Sequence, residues 1–179
     1  MSSILKVDEL QDTSGNLIIK EDSNTITVGA SGDTVNIGGT AGTGFGKVLQ
    51  VVTATDGTER NTTSSSFVTG SNTMSLNITP SSTSNKIYLI MSSSGEGGSG
   101  SSGFYSIFKD GSALGNASNG LAVIGSGTIA PIAINYLDSP STTSQITYDV
   151  RFRVGTSGQT AKLVRQDCTS SLTAIEVSA

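Results

Sequence analysis

The chain has 179 residues, enough for one or two modest domains with a core of their own. Hydrophobic residues make up 35% and charged residues 13%, about half the usual charged share of ~25%, while Ser, Thr and Gly fill 75 positions (30, 23 and 22). With a net charge of −4 and a pI near 4.6, this composition excludes a helical bundle or coiled coil, a basic nucleic-acid binder and a highly charged disordered tail.

Residues 1–45 form a distinct first segment. Ile4-Leu5-Lys6-Val7 opens it, and three short apolar runs follow, each introduced by a turn-type pair. Gly15-Asn16 precedes Leu17-Ile18-Ile19, Ser23-Asn24 precedes Thr25–Val28, and Gly32-Asp33 precedes Thr34–Ile37. This spacing suits a meander, a β-prism or a β-helix. Ile26 and Val28, then Val35 and Ile37, alternate with polar neighbours. So thin a ribbon has too little apolar surface to stand alone, which argues for oligomerisation. Residues 38–46 are a Gly/Thr linker with one aromatic, Phe45.

Beyond the linker the pattern predicts about eight strands and no amphipathic helix. Lys47–Ala54 is the first. Thr73–Thr79 places Met74, Leu76 and Ile78 on one face, and Lys86–Met91 is a near-continuous apolar run suited to a sandwich core. Ser92–Gly103 is low in complexity and reads as a flexible surface loop. Phe104–Lys109 follows, ending at the tight-turn pair Asp110-Gly111. Leu121–Ile124 and Ile129–Leu137 are further strands, and Pro131 puts the latter at an edge or a bulge. In Gln145–Val154, Ile146, Tyr148, Val150, Phe152 and Val154 alternate with Thr147, Asp149, Arg151 and Arg153. Ala161–Arg165 and Leu172–Val177 complete a set that suggests a two-sheet sandwich, most plausibly a jelly roll.

Chemical motifs are few. Histidine is absent, which removes the Ser-His-Asp triad, the Cys-His pair and the usual zinc and haem ligand sets. Cys168 is the single cysteine and reads as a small buried or half-buried apolar residue. Gly95–Gly100 fits G-x-G-x-x-G, but a strand rather than a helix follows it, so it does not cradle a pyrophosphate. Ala41–Val48 fails as a phosphate loop, with Ala41 at the first glycine and Val48 at the Ser/Thr. The turn Asp56-Gly57-Thr58-Glu59 reads as solvated. Arg151 and Arg153 share a face with Asp149, which suggests local ion pairing or, more sharply, a partner contact. No run approaches the ~18 apolar residues of a membrane helix. Met1–Leu10 lacks a basic stretch followed by an apolar one, so no signal peptide is expected, and the sequons at Asn61, Asn77 and Asn116 read as chance.

Two stretches resemble a family. Ser3–Asp12 with Gly15-Asn16-Leu17-Ile18-Ile19 resembles the N-terminus of structural proteins of tailed bacteriophages, especially phages of aquatic bacteria. Gly46–Val52, Ser66-Phe67-Val68 and Leu76–Ile87 are similar to the globular fibre or knob domain of such proteins. The resemblance spans roughly residues 3–19 and 46–90. It implies an N-terminal part that anchors to the virion and a distal trimeric β-sandwich facing solvent.

The sequence is therefore read as an all-β, homotrimeric, non-enzymatic virion surface protein, made in the host cytoplasm. Residues 1–45 are a β arm, β-prism- or β-helix-like or adding strands to neighbours; residues 46–179 are a jelly-roll-like head. Arm contacts to the virion and within the trimer are expected from Ile4, Leu5, Val7, Leu10, Leu17, Ile18, Ile19, Ile26, Val28, Val35 and Ile37. One head on a short arm favours capsid decoration (cement), with the major capsid protein as partner. The alternative is a short tail fibre or adhesin, held by a tail protein and binding host glycans through Ser92–Gly103 and the Tyr105/Tyr136 neighbourhood. No cofactor, metal, nucleic acid or membrane is expected.

Overall fold

A computed structural model describes residues 9–11, 17–22, 25–28 and 47–178. The chain divides into two compact units, Met1–Gly44 and Phe45–Ala179. In the first, β1 (Glu9–Gln11), β2 (Leu17–Asp22) and β3 (Thr25–Val28) pair antiparallel in chain order, so the backbone here is a meander. Leu10, Ile19 and Val28 occupy one register row, Leu17 pairs with Gln11, Ile26 pairs with Glu21, and Ile18 lies on β2. Ile4, Leu5, Val7, Val35 and Ile37, the strand expected at Thr34–Ile37 and the linker lie outside the described residues.

The second unit is all-β. Its strands are β4 (Val48–Asp56), β5 (Arg60–Thr62), β6 (Ser75–Ile78), β7 (Lys86–Glu96) and β8 (Gly103–Lys109). Then come β9 (Ser112–Ala113), β10 (Ala122–Ile124), β11 (Ile129–Asp138), β12 (Ile146–Val154), β13 (Ala161–Leu163) and β14 (Ser170–Val177). One antiparallel sheet runs β4-β14-β7-β11, with β13 and then β5 continuing from the far end of β7. The other runs β6-β12-β8-β10, with β9 also on β8.

Alternation explains the packing. Ile146, Tyr148, Val150, Phe152 and Val154 of β12 are all buried, as are Leu76 and Ile78 of β6 and Met74 before it. From the other sheet, Ile87, Leu89 and Met91 (β7) and Leu172 and Ala174 (β14) join the same cluster. Tyr105 lies nearly parallel to Phe152, ring centroids 6.3 Å apart. Two polar ties join the sheets. The Tyr105 hydroxyl, on β8, lies 3.0 and 2.8 Å from the carbonyls of Glu96 and Lys162, and burial pushes its pKa up. Tyr148 Oη donates to Asp138 Oδ2 at 2.5 Å, where Lys109 Nζ also arrives at 2.8 Å. Burial and the Asp138 carboxylate push the Tyr148 phenol up as well.

Several expectations carry through. Asp110-Gly111 closes the β8–β9 hairpin with both residues left-handed (φ 46° and 81°), the two-residue turn whose twist matches the strands. Pro131 sits on β11, which among the described residues pairs with β7 alone and so is an edge strand.

Others are corrected. Ser92–Gly103 is not a flexible surface loop: Ser92–Glu96 extend β7, and Gly95, Gly97 and Gly98 are buried. Composition misleads here because glycine is what allows β7 to pass so close to its neighbours. Asp56 is not in a solvated turn. It is buried and accepts from Arg60 Nε at 2.9 Å and from the amides of Thr58 and Thr73. Burial works against its charge, but these donors outweigh it and hold the carboxyl below its ordinary range. Cys168 is exposed, because it falls between the short turn at Arg165–Asp167 and β14 rather than on a core face. The sequence also hid β5 and β9, too short to show a period.

Candidate assembly surface

The larger sheet turns one face to the core and one outward. Across its four main strands, Val51 (β4), Ile175 (β14), Tyr88 (β7) and Leu137 (β11) stand in a single register row on the outward face. Val51 and Leu137 are each 57% exposed and Tyr88 36%. The next row on that face is Thr53, Thr173, Ile90 and Asn135. Neither row contains a charged side chain. The Thr53 and Thr173 hydroxyls bond at 3.0 Å, and Tyr88 Oη donates to Asn135 Oδ1 at 3.2 Å, so the polar groups here largely satisfy one another. An aligned apolar row, uncharged and open to solvent, is the mark of a surface that meets another protein.

A buried carboxylate braces this face from beneath. Glu176 alternates with Ile175 and therefore points inward, where its exposure is 0%. Its Oε1 accepts from Asn85 Nδ2 (2.6 Å), the Ser81 amide (2.7 Å) and Ser81 Oγ (2.8 Å), and its Oε2 from Gln50 Nε2 (2.6 Å). Burial alone would raise its pKa, but these donors outweigh it and pull the carboxyl down to about 2. The cluster ties β4 and the 81–85 turn to β14, which fixes the register that lines up Val51 with Ile175.

At the other end of the sheet, Arg165 Nη1 and Nε reach Glu59 (2.7 Å) and Glu96 (2.5 Å), with Lys162 at 3.5 Å from both carboxylates. The Gln166 amide, Arg165 and Lys162 hold the Glu59 carboxyl below its usual range. These mutual pairings close the β5–β13–β7 corner. Among the described residues no cluster of three or more His, Cys, Asp or Glu side chains is arranged to hold a metal.

Arg151 and Arg153 lie together on the outward face of the smaller sheet. Arg151 Nε pairs with Asp149 at 2.6 Å and its guanidinium sits 4.5 Å from the centre of the Phe108 ring. The Arg153 guanidinium lies 4.0 Å from the centre of the Phe104 ring and 5.5 Å from that of Phe67. Of the two tyrosines expected to mark a glycan surface, Tyr105 is fully buried and Tyr136 packs half-buried against the core. The apolar row was missed because Lys86–Met91 was read as a core strand. Its continuity was the signal, since apolar residues on both faces of a strand require cover on both.

No protein-family model matches this chain, and no curated protein matches it.

Proposed function

We propose that this is a non-enzymatic structural protein of a bacteriophage virion surface, a homotrimeric capsid decoration protein whose heads meet through the outward face of the larger sheet. The observation that carries the reading is the uncharged Val51–Ile175–Tyr88–Leu137 row. A second copy can cover this row and the Thr53–Thr173–Ile90–Asn135 row without desolvating a charge, and Lys86 is the nearest charged residue along β7 on this face. The virion setting and the threefold stoichiometry come from the resemblance of residues 3–19 and 46–90 to phage structural proteins. The eight principal strands form two four-stranded sheets, β4-β14-β7-β11 and β6-β12-β8-β10, and this strand order supports a jelly-roll head. In this reading residues 1–45 anchor the head, and the β1–β3 strands lie along the capsid or add to a neighbour's sheet.

Light scattering of the purified chain should give about three times 18.2 kDa. Val51→Asp combined with Leu137→Asp should return the mass to that of one chain with little loss of thermal stability, since both positions are exposed in the single chain. A wild-type monomer, or a variant that still forms trimers, argues against this face. Removing residues 1–45 should abolish incorporation into particles while the head still melts cooperatively. A truncated protein that decorates particles normally rules out the arm as anchor. Copy number separates decoration from the tail-fibre alternative: hundreds per particle for decoration, tens or fewer for a tail.

A further inference from the structure

On the opposite side of the head, Ser66, Phe67, Phe108, Ala117, Ser118 and Arg153 line a groove of about 610 Å³. We propose that it binds an acidic saccharide, with Arg153 taking the carboxylate and the half-buried Phe67 ring taking the apolar face of the sugar. Four features favour this ligand class.

First, the Arg153 charge is uncompensated. Its Nε and Nη2 donate to the Ser118 carbonyl (3.0 and 2.5 Å) and its Nη1 to the Val154 carbonyl (3.0 Å). A guanidinium carries five N–H donors, so two remain, and carbonyl oxygens do not neutralise it. Among the described residues no ion pair engages Arg153, whereas Arg151 beside it is matched by Asp149. Second, the cation is held in place. The Phe104 and Phe67 rings and the carbonyls of Ser118 and Val154 hold the guanidinium before any ligand arrives, which lowers the cost of binding. Third, the half-buried Phe67 ring, backed at 5.4 Å by the buried Phe108 ring, places an apolar surface beside the charge. Fourth, the serines and Ala117 leave width and add hydroxyls, and no carboxylate lines the groove.

A held cation, an aromatic surface and small hydroxyl side chains match a ring that carries an acid, several hydroxyls and a C–H face. A polyphosphate chain is disfavoured because Arg153 is the only cation among the residues that line the groove. The inference does not rest on capsid decoration: such a groove serves equally on a capsid that adheres to a polysaccharide-coated surface or on a tail tip.

Titration calorimetry of the full chain with hyaluronan tetrasaccharide, trigalacturonate and sialyllactose tests it, with lactose as the neutral control. At least one acidic saccharide should bind with a Kd on the order of 0.1–1 mM, weakening as salt rises, and lactose at least tenfold more weakly. Arg153→Gln should reduce the affinity at least tenfold. Because Arg153 also packs against rings, Ala117→Glu provides an independent arm: Ala117 is exposed, so the fold is kept, and the new carboxylate should abolish binding. No binding of any acidic saccharide at ~10 mM, equal binding of lactose, or unchanged binding by both variants overturns the proposal.

Discussion

Replacing Glu176 by Ala should destabilise the head by about 3–5 kcal/mol, read as a fall in the urea midpoint. The side chain is fully buried, and its removal takes the acceptor from Gln50, Asn85 and both donors of Ser81 at once. Glu176→Gln keeps the shape but replaces one acceptor oxygen with a donor facing other donors, so it should cost about 1–3 kcal/mol. The wild-type carboxyl also makes stability depend on pH. Its folded pKa of about 2 lies below the ordinary 4.5, so the native state favours the ionised form. That stabilisation, up to about 3 kcal/mol, is complete above pH 4.5 and is lost as pH falls through about 2. Asp56 and Glu59 are shifted in the same direction and add to the acid limb. Urea unfolding at a series of pH values should show that limb flattened in Glu176→Gln. An unchanged acid limb would mean that the four donors do not select the charged form.

Gly98→Ala should cost about 3 kcal/mol or more and lower the melting temperature by ~10 °C or more. A Cβ at this position would stand 1.9 Å from the Thr160 carbonyl oxygen and 2.8 Å from its carbon, both backbone atoms that cannot swing aside. The Gly98 carbonyl is also in use, accepting from the Ser101 and Gly127 amides and from Ser126 Oγ. Gly57→Ala is the matched control. Nothing lies within 4 Å of its added methyl, so the effect should be within about 1 kcal/mol and can be favourable. Equal melting temperatures for the two variants would return Ser92–Gly103 to the status of a loose surface loop.

These two residues also show where the sequence was legible. Gln145–Val154 was readable because every second side chain is large and apolar, and burial enforces that period. Pro131 and Asp110-Gly111 were readable because each restricts the backbone by its own covalent structure. Ser92–Gly103 was misread because composition reports chain flexibility, whereas a close approach between strands demands the same glycines for the opposite reason. Glu176 left a trace that went unused: it continues the Leu172–Ala174 series on the inward face, and a carboxylate in an apolar series must have donors waiting. Those donors, Gln50, Ser81 and Asn85, lie more than 90 residues away in sequence, so only the fold reveals them. The Arg153 groove was half visible. The strand pattern put Arg151 and Arg153 on one face, but Phe67, Phe104 and Phe108 reach them from a loop and a neighbouring strand.

Electron cryo-microscopy of phage particles produced with this protein is the most direct test of the proposed virion role. The expected result is clusters of three heads at repeated capsid sites, with the Val51–Ile175–Tyr88–Leu137 row covered by a neighbouring head. Heads found singly with that row facing solvent, or no density for the protein on the particle, would contradict a trimeric capsid decoration protein.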